Sequence, residues 1–583
     1  MPISRRTFLQ ASAATGLATT LGPSLTMPAA AAKPWPSADK WDALRRAVGG
    51  RLIEPKSPLA PCLGGADDAA CASRIDAMQN PFFIQDEPGA QQTNGWLNAW
   101  TAEVSPYAVA AETTGDIVAA VNFARENGVK LVVKGCGHDY LGRNCAADSL
   151  LVWTHKMRDT AFDEAFRITG DPDAEAVPAL TAGAGTRWLE AYQLAAANKH
   201  YVQGGGCTTV GVAGGFIQGG GFGSFSKHFG TGAGSVLEYE VVTADGNVLI
   251  ANKARNSDLF WALRGGGGGT FGIVSKVTLL AHPIPHTMGI LQGELTAKGD
   301  DAFRALIAKL IGFYHESLEN PHWGEQIAIK PDNTIELFMV FLNTSADEAR
   351  AVWAPFFADL DATAHPITHK ADFRTVPFDT FFSADAWDKR EPGFVLRDTR
   401  EGANPELYWW EVNKGEIAEF INSYQSRWVP ADRFAPENAD GLAQVLFEAS
   451  RHTPMRLQIN KGLAGAPEEV LARERETSLN PAAIEAATII IFASRQPQRF
   501  PGVAGHEPDM DAGRAEAAKI DAAAEVLKEA FPEGGVYGNE CDYFISDWKN
   551  EIYGTHYDRL LAIKQRYDPQ NLFRVHHGVG SDA

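Results

Sequence analysis

Three clusters of glycine constrain the fold of this chain more than any other feature of its sequence. They lie at residues 135–142, 204–223 and 265–272 of a 583-residue chain that holds 56 glycines. A backbone so rich in glycine bends sharply or approaches a bulky group closely. We therefore expect these segments to hold a long ligand with a pyrophosphate through backbone N–H groups, with the glycine-rich turns of an ordinary sheet protein as the alternative.

The context of these glycines excludes two common nucleotide-binding motifs. No cluster continues into the Lys-Ser/Thr pair of a phosphate-binding P-loop. One G-x-G-x-x-G match occurs, at Gly267, Gly269 and Gly272, but it precedes a predicted strand from Ile273 onward instead of opening a helix. The sequence therefore predicts neither a P-loop nor a Rossmann fold.

Hydrophobic periodicity predicts a mixture of strands and helices around the clusters. Thr114 can cap a helix that ends near Gly128, and a buried strand at 129–134 leads directly into the first cluster. A shift in composition at Pro283 and Pro285 marks a domain boundary, beyond which the chain is poorer in glycine. The other predicted elements are strands at 150–154, 237–243, 248–251, 273–280 and 335–342 and helices at 186–199, 258–263 and 346–360.

The N-terminus has the pattern of a twin-arginine export signal. Arg5 and Arg6 stand before Thr7-Phe8-Leu9, a mildly apolar stretch follows, and the alanines at 29–32 offer small residues to a signal peptidase. We predict a signal peptide at 1–32 and a periplasmic or secreted protein. The segment is too polar and interrupted to span a bilayer, so we expect no membrane insertion. Twin-arginine export carries folded proteins, which is a first indication of a cofactor.

Net charge and cysteine usage narrow the choice of partners. A formal net charge of -20 repels phosphate backbones, so we expect no nucleic acid partner. Six cysteines suit an oxidising destination. Cys62 and Cys71 bracket a short polar loop and could form a local disulfide. No Cys-x-x-Cys pair occurs, which disfavours a zinc ribbon or a thioredoxin-like site, and we expect no metal.

The residues beside the glycines resemble those of one flavoprotein superfamily. The resemblance is to the vanillyl-alcohol-oxidase superfamily, and within it to the berberine-bridge-enzyme and gluco-oligosaccharide-oxidase branch. It covers residues 80–280 and 535–580, while the middle of the chain matches only in outline. The stretches that carry it, in family order, are Gly-Cys-Gly-His at 135–138, the glycine-rich 204–221, Asn-Ser-Asp-Leu-Phe-Trp-Ala-Leu-Arg and the glycines after it at 256–274, and the aromatic Tyr-Gly to Asn-Leu-Phe segment at 553–573.

The resemblance implies a two-domain α+β flavoprotein. A discontinuous FAD-binding domain of PCMH type is expected at 33–285, completed by a berberine-bridge-like segment at 531–583. A substrate domain, an antiparallel sheet backed by helices, is expected at 286–530 between these two parts.

In that branch a histidine and a cysteine bond covalently to FAD, and His138 and Cys207 occupy those places. An imidazole nitrogen and a thiolate are nucleophiles able to add to an electron-poor flavin ring. Taken singly, His138 is better explained as a satisfied loop histidine, and the alternative for Cys207 is a disulfide or a buried thiol; together, each beside the expected glycines, they favour the flavin link. Cys136 departs from relatives that often carry Gly or Ser, and a pairing with Cys145 stays open. The other cofactor-binding residues that the resemblance implies are Gly135, Cys136, Gly137, Asp139, Gly206, Thr208, Val210, Gly211, Gly214, Gly215, Gly220, Gly221, Gly272, Ile273, Val274 and Asn539.

The resemblance also points to residues of the chemical step. The segment Tyr537-Gly538-Asn539-Glu540 is similar to the family's Tyr-x-Asn-Tyr, with Glu540 in place of the second tyrosine. Tyr537 and Glu540 are therefore our candidates for the catalytic base or its partner, with a polar packing cluster as the alternative. Val210 resembles the oxygen-admitting form of its position, which favours an oxidase over a dehydrogenase; a plain core valine is the alternative.

Other residues are candidates for the substrate pocket. Asn460 and Lys461 could line it. Trp409 and Trp410 could stack on a sugar ring, although we expect at least one of them in the core.

The expected function is oxidation of an alcohol or hemiacetal carbon, with hydride passing to covalently bound FAD and oxygen reduced to hydrogen peroxide. An oligosaccharide or a similar small molecule is the leading substrate class. The alternatives are an oxidase of secondary-metabolite alcohols or amines, a flavin dehydrogenase with another electron acceptor, and a non-catalytic flavin-binding protein. Retention of both His138 and Cys207 speaks against the last.

Overall fold

The computed structural model describes residues 34–63 and 68–582, and the predicted signal peptide at 1–32 lies outside them. The described residues form four β-sheets with helices packed on them, which is the α+β class that the resemblance implied. The elements up to residue 283 are, in chain order, α1 (Ala38–Ala47), β1 (Leu52–Ile53), α2 (Asp68–Ala77), α3 (Pro81–Asp86), β2 (Thr93–Trp96), β3 (Trp100–Thr101), β4 (Tyr107–Ala110), α4 (Thr114–Asn127), β5 (Lys130–Lys134), β6 (Ser149–Trp153), β7 (Thr160–Phe166), β8 (Val177–Gly183), α5 (Trp188–Ala197), β9 (His200–Val202), α6 (Gly215–Gln218), α7 (Ser226–Phe229), β10 (Val236–Val242), β11 (Val248–Asn252), α8 (Ser257–Ala262) and β12 (Ile273–Pro283).

The elements predicted in this first half are all present, with ends displaced by a few residues. The cap of α4 is one correction. Thr113, not Thr114, is the N-cap: its side chain accepts from the Asp116 N–H and the Asp116 carboxylate accepts in return, so that Thr114 is the first helical residue. Gly128 ends the helix in the left-handed region, at φ 67°, where glycine carries no steric cost.

The second half alternates strands and helices as the sequence predicted. Its elements are β13 (Thr287–Ala297), α9 (Asp300–Phe313), β14 (Trp323–Ile329), β15 (Thr334–Leu342), α10 (Ala346–Ala362), β16 (Ile367–Pro377), α11 (Ala384–Arg390), β17 (Val395–Arg397), β18 (Tyr408–Trp410), β19 (Glu419–Pro430), α12 (Ala439–Ser450), β20 (Met455–Gln458), α13 (Glu468–Arg475), α14 (Pro481–Glu485), β21 (Ala486–Gln496), α15 (Met510–Ala530), α16 (Trp548–Tyr553) and α17 (Tyr557–Tyr567).

Two sheets carry the glycine clusters at strand ends. In the first, β6 lies between β4 and β5 and is parallel to both, with β1 antiparallel at the edge. Since β5 ends at Lys134, the first cluster begins where this sheet stops. The second sheet has the order β11-β10-β12-β8-β7, with β9 added on β12, and all its pairs are antiparallel. The third cluster leads into β12 from α8, which agrees with the exclusion of a Rossmann fold.

The largest sheet has nine strands in the order β16-β13-β15-β14-β20-β21-β19-β2-β3. Pairing is antiparallel from β16 to β19. Apolar residues of α9, α10, α12 and α15 pack against one face and form a separate core. The strands β2 and β3 come from the N-terminal region, and β2 joins β19 in parallel. The domain boundaries at 285 and 530 stay predictions.

The C-terminal tail is tied back to the third glycine cluster. The buried Lys564 Nζ donates to the carbonyl oxygens of Thr270, at 2.8 Å, and Phe573, at 2.6 Å, and forms an ion pair with Asp568. Tyr553 donates its hydroxyl proton to the His577 carbonyl. These bonds bring the segment before α16, which holds Tyr537 to Glu540, to the same side of the molecule as the glycines.

The cysteines resolve both disulfide expectations. Cys62 and Cys71 are bonded, as predicted. Cys136 and Cys145 are free thiols, so the pairing left open for them is wrong. Their sulfurs instead face backbone carbonyls, Cys136 that of Gly185 at 3.7 Å and Cys145 that of Gly142 at 3.9 Å.

Candidate active site

A cavity of about 1340 Å³ lies between the glycine clusters and the nine-stranded sheet. We call residues of the clusters 135–142, 204–223 and 265–272 that line it the glycine wall, and those of β13, β14, β15, β19, β20 and β21 the sheet wall. Of the predicted site residues, the cavity is lined by Gly135, Cys136, Gly137, His138, Asp139, Gly206, Cys207, Thr208, Val210, Gly211, Gly214, Gly215, Gly272, Ile273, Val274, Tyr537, Asn539 and Glu540.

Gly220 and Gly221 are outside this set of lining residues. Their φ values are 129° and 79°, a conformation that favours glycine, and their carbonyls accept from the N–H groups of Ala233 and Gly232. A Cβ on Gly221 would also lie 2.8 Å from the ring of Phe216. Gly220 and Gly221 therefore form a tight turn behind the glycine wall and do not line the cavity.

One hydroxyl group connects His138 and Cys207. The Thr209 Oγ1 atom lies 3.0 Å from Nε2 of His138 and 3.4 Å from Sγ of Cys207. The structure thus brings together two residues that are far apart in the sequence, at one point of the glycine wall. The sequence reasoning had named Thr208, whose hydroxyl instead donates to the Tyr408 carbonyl at 2.7 Å.

Burial sets the protonation of both side chains. It lowers the pKa of His138 to about 4, so the imidazole is neutral near pH 7 and keeps a nucleophilic nitrogen. Burial raises the pKa of the Cys207 thiol, and the hydrogen bond from Thr209 opposes that shift.

The glycine wall fits a large cofactor. A Cβ built on Gly214 or Gly215 meets no atom within 4 Å, so these glycines face open space that a side chain would take from a ligand. Gln218 is 4% exposed and donates from Nε2 to the Ala213 carbonyl, while its buried Oε1 atom has no partner in the described part of the chain. An unpaired buried acceptor is costly, and a ligand hydroxyl would satisfy it. The residues present therefore fit FAD.

A polar network joins the first cluster to the C-terminal segment. Arg143 Nε donates to Asp139 Oδ1 at 2.7 Å, and its guanidinium also donates to the side-chain Oδ1 atom of Asn539 at 3.2 Å. The Asn539 amide donates to the Gly215 carbonyl, at 2.9 Å, and to the Tyr537 hydroxyl, at 3.1 Å. Asn539 therefore links the first and second glycine clusters to Tyr537.

The two predicted candidates for the base lie in different environments. Burial and the nearby Glu540 carboxylate raise the pKa of Tyr537, so its phenol stays protonated and acts as a donor. Glu540 forms an ion pair with Lys461, and both side chains are largely buried. Lys461 Nζ also lies 5.5 Å from the centre of the Tyr537 ring.

The sheet wall adds a carboxyl group that no motif indicated. Glu325 of β14 adopts φ 68°, which is unusual for a residue with a side chain and concentrates at functional sites. The Ser224 hydroxyl donates to its carboxylate, and burial raises its pKa. A Cβ on Gly324 would lie 1.9 Å from the Ser224 carbonyl, so the glycine is required where the two walls touch. No local sequence signal distinguishes this strand from its neighbours.

Two stacked tyrosines also line the cavity without having been predicted. The rings of Tyr140 and Tyr424 lie 5.2 Å apart at an interplanar angle of 27°. Arg495, which pairs with Glu416 at 3.1 Å and Glu419 at 3.0 Å, lies 5.8 Å from the Tyr424 ring. Tyr140 follows His138 by two residues, so its proximity to the first cluster was the available signal.

The secondary candidates fall as follows. Asn460 and Lys461 both line the cavity, and Asn460 Oδ1 is buried with no partner among the described residues. Trp409 is in the core, while Trp410 lines the cavity and donates from Nε1 to the Gly206 carbonyl at 2.7 Å. The expectation that at least one tryptophan is buried in the core is confirmed.

Neither a metal-binding cluster nor a membrane-spanning helix occurs among the described residues. Over 34–63 and 68–582, no three histidine, cysteine or acidic side chains are grouped as a metal site would need. Within the same part of the chain, no helix has the length and apolar character required to cross a membrane.

These observations indicate the class of an FAD-dependent oxidoreductase, since the residues that line the cavity fit FAD. Comparison with families agrees. The FAD binding domain family matches residues 105–252, and the family "Berberine and berberine like" matches 536–580. The twin-arginine translocation signal family matches residues 2–22, which confirms the predicted export signal.

Curated relatives share nearly the whole chain. "FAD-linked oxidoreductase ZEB1" of Gibberella zeae is 30% identical over 570 residues, which cover 94% of this chain and 91% of the relative. "VAO-type flavoprotein oxidase VAO615" of Thermothelomyces thermophilus is 29% identical over 620 residues, covering 100% and 98%. The chain therefore belongs to the FAD-linked oxidoreductases of the vanillyl-alcohol-oxidase superfamily, in the berberine-bridge-like branch.

Solved structures agree on the fold. The crystal structure of the VAO-type flavoprotein MtVAO615 from Myceliophthora thermophila is 27% identical, with a TM-score of 0.75 over 95% of this chain and 97% of that one. The xylooligosaccharide oxidase from the same organism is 19% identical, with a TM-score of 0.63 over 92% and 99%. The second comparison shows a common two-domain fold only.

Proposed function

We propose that this protein is an oxidase that takes hydride from an alcohol or hemiacetal carbon of an oligosaccharide or similar molecule. FAD, bonded covalently through His138 and Cys207, is the proposed acceptor, and oxygen takes the electrons to become hydrogen peroxide. The observation that carries the proposal is the meeting of His138 and Cys207 on the glycine wall, where both lie within hydrogen-bond distance of the buried Thr209 hydroxyl. Both nucleophiles face one cavity that fits FAD, which supports a covalent link.

The chemical step needs a base on the sheet side of the cavity. Bound FAD would supply a two-electron acceptor. We assign the base to Glu540, whose carboxylate is held by Lys461 and is positioned to receive the proton of a substrate hydroxyl. Tyr537, kept protonated by burial, would donate a hydrogen bond to the same oxygen. Glu325 stands on β14 as a second carboxyl that a substrate hydroxyl could reach.

The cavity also supports a second substrate class. Exposed apolar side chains border its sheet side, Phe338 at 38% and Val412 at 77% exposure, and Trp410 and Phe394 lie beside each other at a ring distance of 5.6 Å. Such a surface favours a substrate with an apolar body. A secondary-metabolite alcohol or amine is therefore the alternative substrate, and a non-oxygen electron acceptor is the alternative to the oxidase assignment.

Export and oxygen use complete the proposal. The twin-arginine signal supports a periplasmic or secreted enzyme that carries its FAD through the membrane already bound. Val210 lines the cavity as a residue smaller than leucine or isoleucine, which supports oxygen access. Oligosaccharides are within reach of an exported enzyme.

Acid precipitation tests the cofactor bond, and a substrate screen tests the activity. The precipitated protein should stay yellow, and the Cys207→Ala variant should keep one covalent bond with a shifted flavin spectrum. Sugars and apolar alcohols are then screened for peroxide release. Flavin lost to the supernatant would refute covalent attachment, and a substrate-reduced protein that stays reduced in air would refute the oxidase.

A further inference from the structure

The hydroxyl of Thr209 lies at a position that neither the motif nor the proposed function explains. It is within hydrogen-bond distance of both side chains proposed to bond to FAD, at 3.0 Å from Nε2 of His138 and 3.4 Å from Sγ of Cys207. Thr209 is 2% exposed. A buried hydroxyl shared by two nucleophiles that line the cavity constrains the protons of both.

The backbone of Thr209 is held firmly in place. Gln85 Nε2 donates to the Thr209 carbonyl at 2.7 Å, and the buried Arg187 donates to Gln85 Oε1 at 2.6 Å. The Arg187 guanidinium also lies 4.9 Å from the ring centre of Phe82. These contacts fix the backbone position from which the Thr209 hydroxyl reaches its two partners.

A hydroxyl carries one proton, and this decides what Thr209 can do. If it accepts from the Nε2–H of His138, its own proton is free to point at the sulfur of Cys207. The other ring nitrogen, Nδ1, then has a free lone pair, and no described residue hydrogen-bonds to it. If instead the hydroxyl donates to Nε2, the proton is on Nδ1 and the sulfur receives no donor. Only the first arrangement makes both side chains nucleophilic at once.

We infer that Thr209 is a positioning residue for cofactor attachment, accepting from His138 Nε2 and donating to Cys207 so that Nδ1 and the sulfur both face FAD. The inference rests on the proposed covalent link. Each link replaces a C–H bond of FAD by a C–N or C–S bond; the imidazole, bonded at Nδ1, gives up the proton on Nε2, and the cysteine gives up its thiol proton. Each link thus releases two electrons and two protons, which pass to one molecule of oxygen and form hydrogen peroxide.

The test counts attachment sites in the full-length protein with its FAD. After acid denaturation and proteolysis, mass spectrometry shows whether the peptides that hold residues 138 and 207 share one flavin. We expect the doubly linked fraction to fall about tenfold in Thr209→Val, the size expected for one lost hydrogen bond. Thr209→Ser restores the hydroxyl and should restore the wild-type fraction. Thr278→Val, which removes a buried hydroxyl that bonds to Thr181 and lies outside the lining of the cavity, should leave that fraction unchanged.

A second measurement covers a Thr209→Val variant that does not fold. Magnetic resonance of the flavin peptide from the wild-type protein identifies the attached nitrogen, and attachment through Nε2 would overturn the inference. A doubly linked fraction in Thr209→Val equal to that of wild type would overturn it as well, while leaving the covalent proposal intact. Wild-type protein with a single link overturns the joint role of Thr209, and wild-type protein with none overturns both proposals.

Discussion

The two walls of the cavity are built on opposite principles. The glycine wall offers backbone, open space beside Gly214 and Gly215, and two nucleophiles that burial keeps neutral. The sheet wall offers side chains, among them the strained Glu325 and aromatic rings, and the ion pair of Lys461 with Glu540 adjoins it. Backbone can grip a cofactor whose shape is always the same, while side chains must be matched to one substrate. The difference places the constant part of the chemistry on one wall and the variable part on the other.

The largest expected effect comes from removing the negative charge of Glu540. Glu540→Gln should lower the turnover number by about 10²–10⁴-fold, the usual contribution of a general base, because the amide cannot accept the substrate proton. The FAD spectrum and the covalent links should be unchanged, since those belong to the glycine wall. Stopped-flow reduction by substrate measures the step.

The control for that variant is Glu516→Gln. Glu516 also lines the cavity, but it pairs with Lys519 of its own helix. If both variants lose the same activity, the effect is a general loss of negative charge, and Glu540 is not the base.

Two glycines separate the structural from the ligand-binding part of the glycine wall. A Cβ on Gly223 would lie 1.8 Å from the Gly204 carbonyl, so Gly223→Ala should destabilise the protein by about 3 kcal/mol, near the upper end for overpacking. Gly214→Ala meets no atom within 4 Å and should unfold at the wild-type temperature, yet bind less FAD.

Thermal unfolding and the ratio of flavin to protein absorbance give both quantities. A Gly214→Ala protein with full flavin content would show that the open space beside Gly214 is not part of the cofactor site. The proposal that the glycine wall binds the cofactor would then rest on fewer observations.

The smallest expected effect concerns pH and the sheet behind Arg495. Burial raises the pKa of Glu419 from 4.5 to about 7. Between these values the folded state binds more protons than the unfolded state, so Glu419 makes the protein less stable as pH rises, by on the order of 2 kcal/mol. Glu419→Gln should remove that loss, and its unfolding temperature should fall less than that of wild type from about pH 5 to pH 8. Parallel curves would contradict the assignment.

Local motifs were sufficient for most of the cofactor side. The strand ending at Lys134 and the Gly-Cys-Gly-His turn after it could be predicted because strand, turn and nucleophile are neighbours in the chain. The Rossmann fold could also be excluded from local sequence, because Gly272 is followed by strand β12 and not by a helix. The disulfide of Cys62 with Cys71 follows the same rule, as the two residues are separated by only nine positions.

Side chains that depend on long-range packing escaped the sequence reasoning. Glu325 meets Ser224 only because folding packs β14 against the loop at Ser224, a contact between residues 101 positions apart. The contact of Thr209 with His138 was not predicted, because the turn at Cys207 directs one hydroxyl to Tyr408 and the next to His138. Adjacent side chains point in different directions, and only the backbone conformation of the folded protein shows which of them reaches a given partner.

The sequence alone determined the superfamily and the cofactor class and singled out His138 and Cys207 as the proposed nucleophiles, because each depends on residues that are contiguous or flanked by glycine. The tertiary structure decided which charges meet in the cavity: Lys461 reaches Glu540 across 79 residues, and one hydroxyl reaches both His138 and Cys207. The physical reason is range. Backbone conformation and nucleophilicity follow from near neighbours, whereas an ion pair or a shared proton exists only when folding brings its partners within a few ångströms.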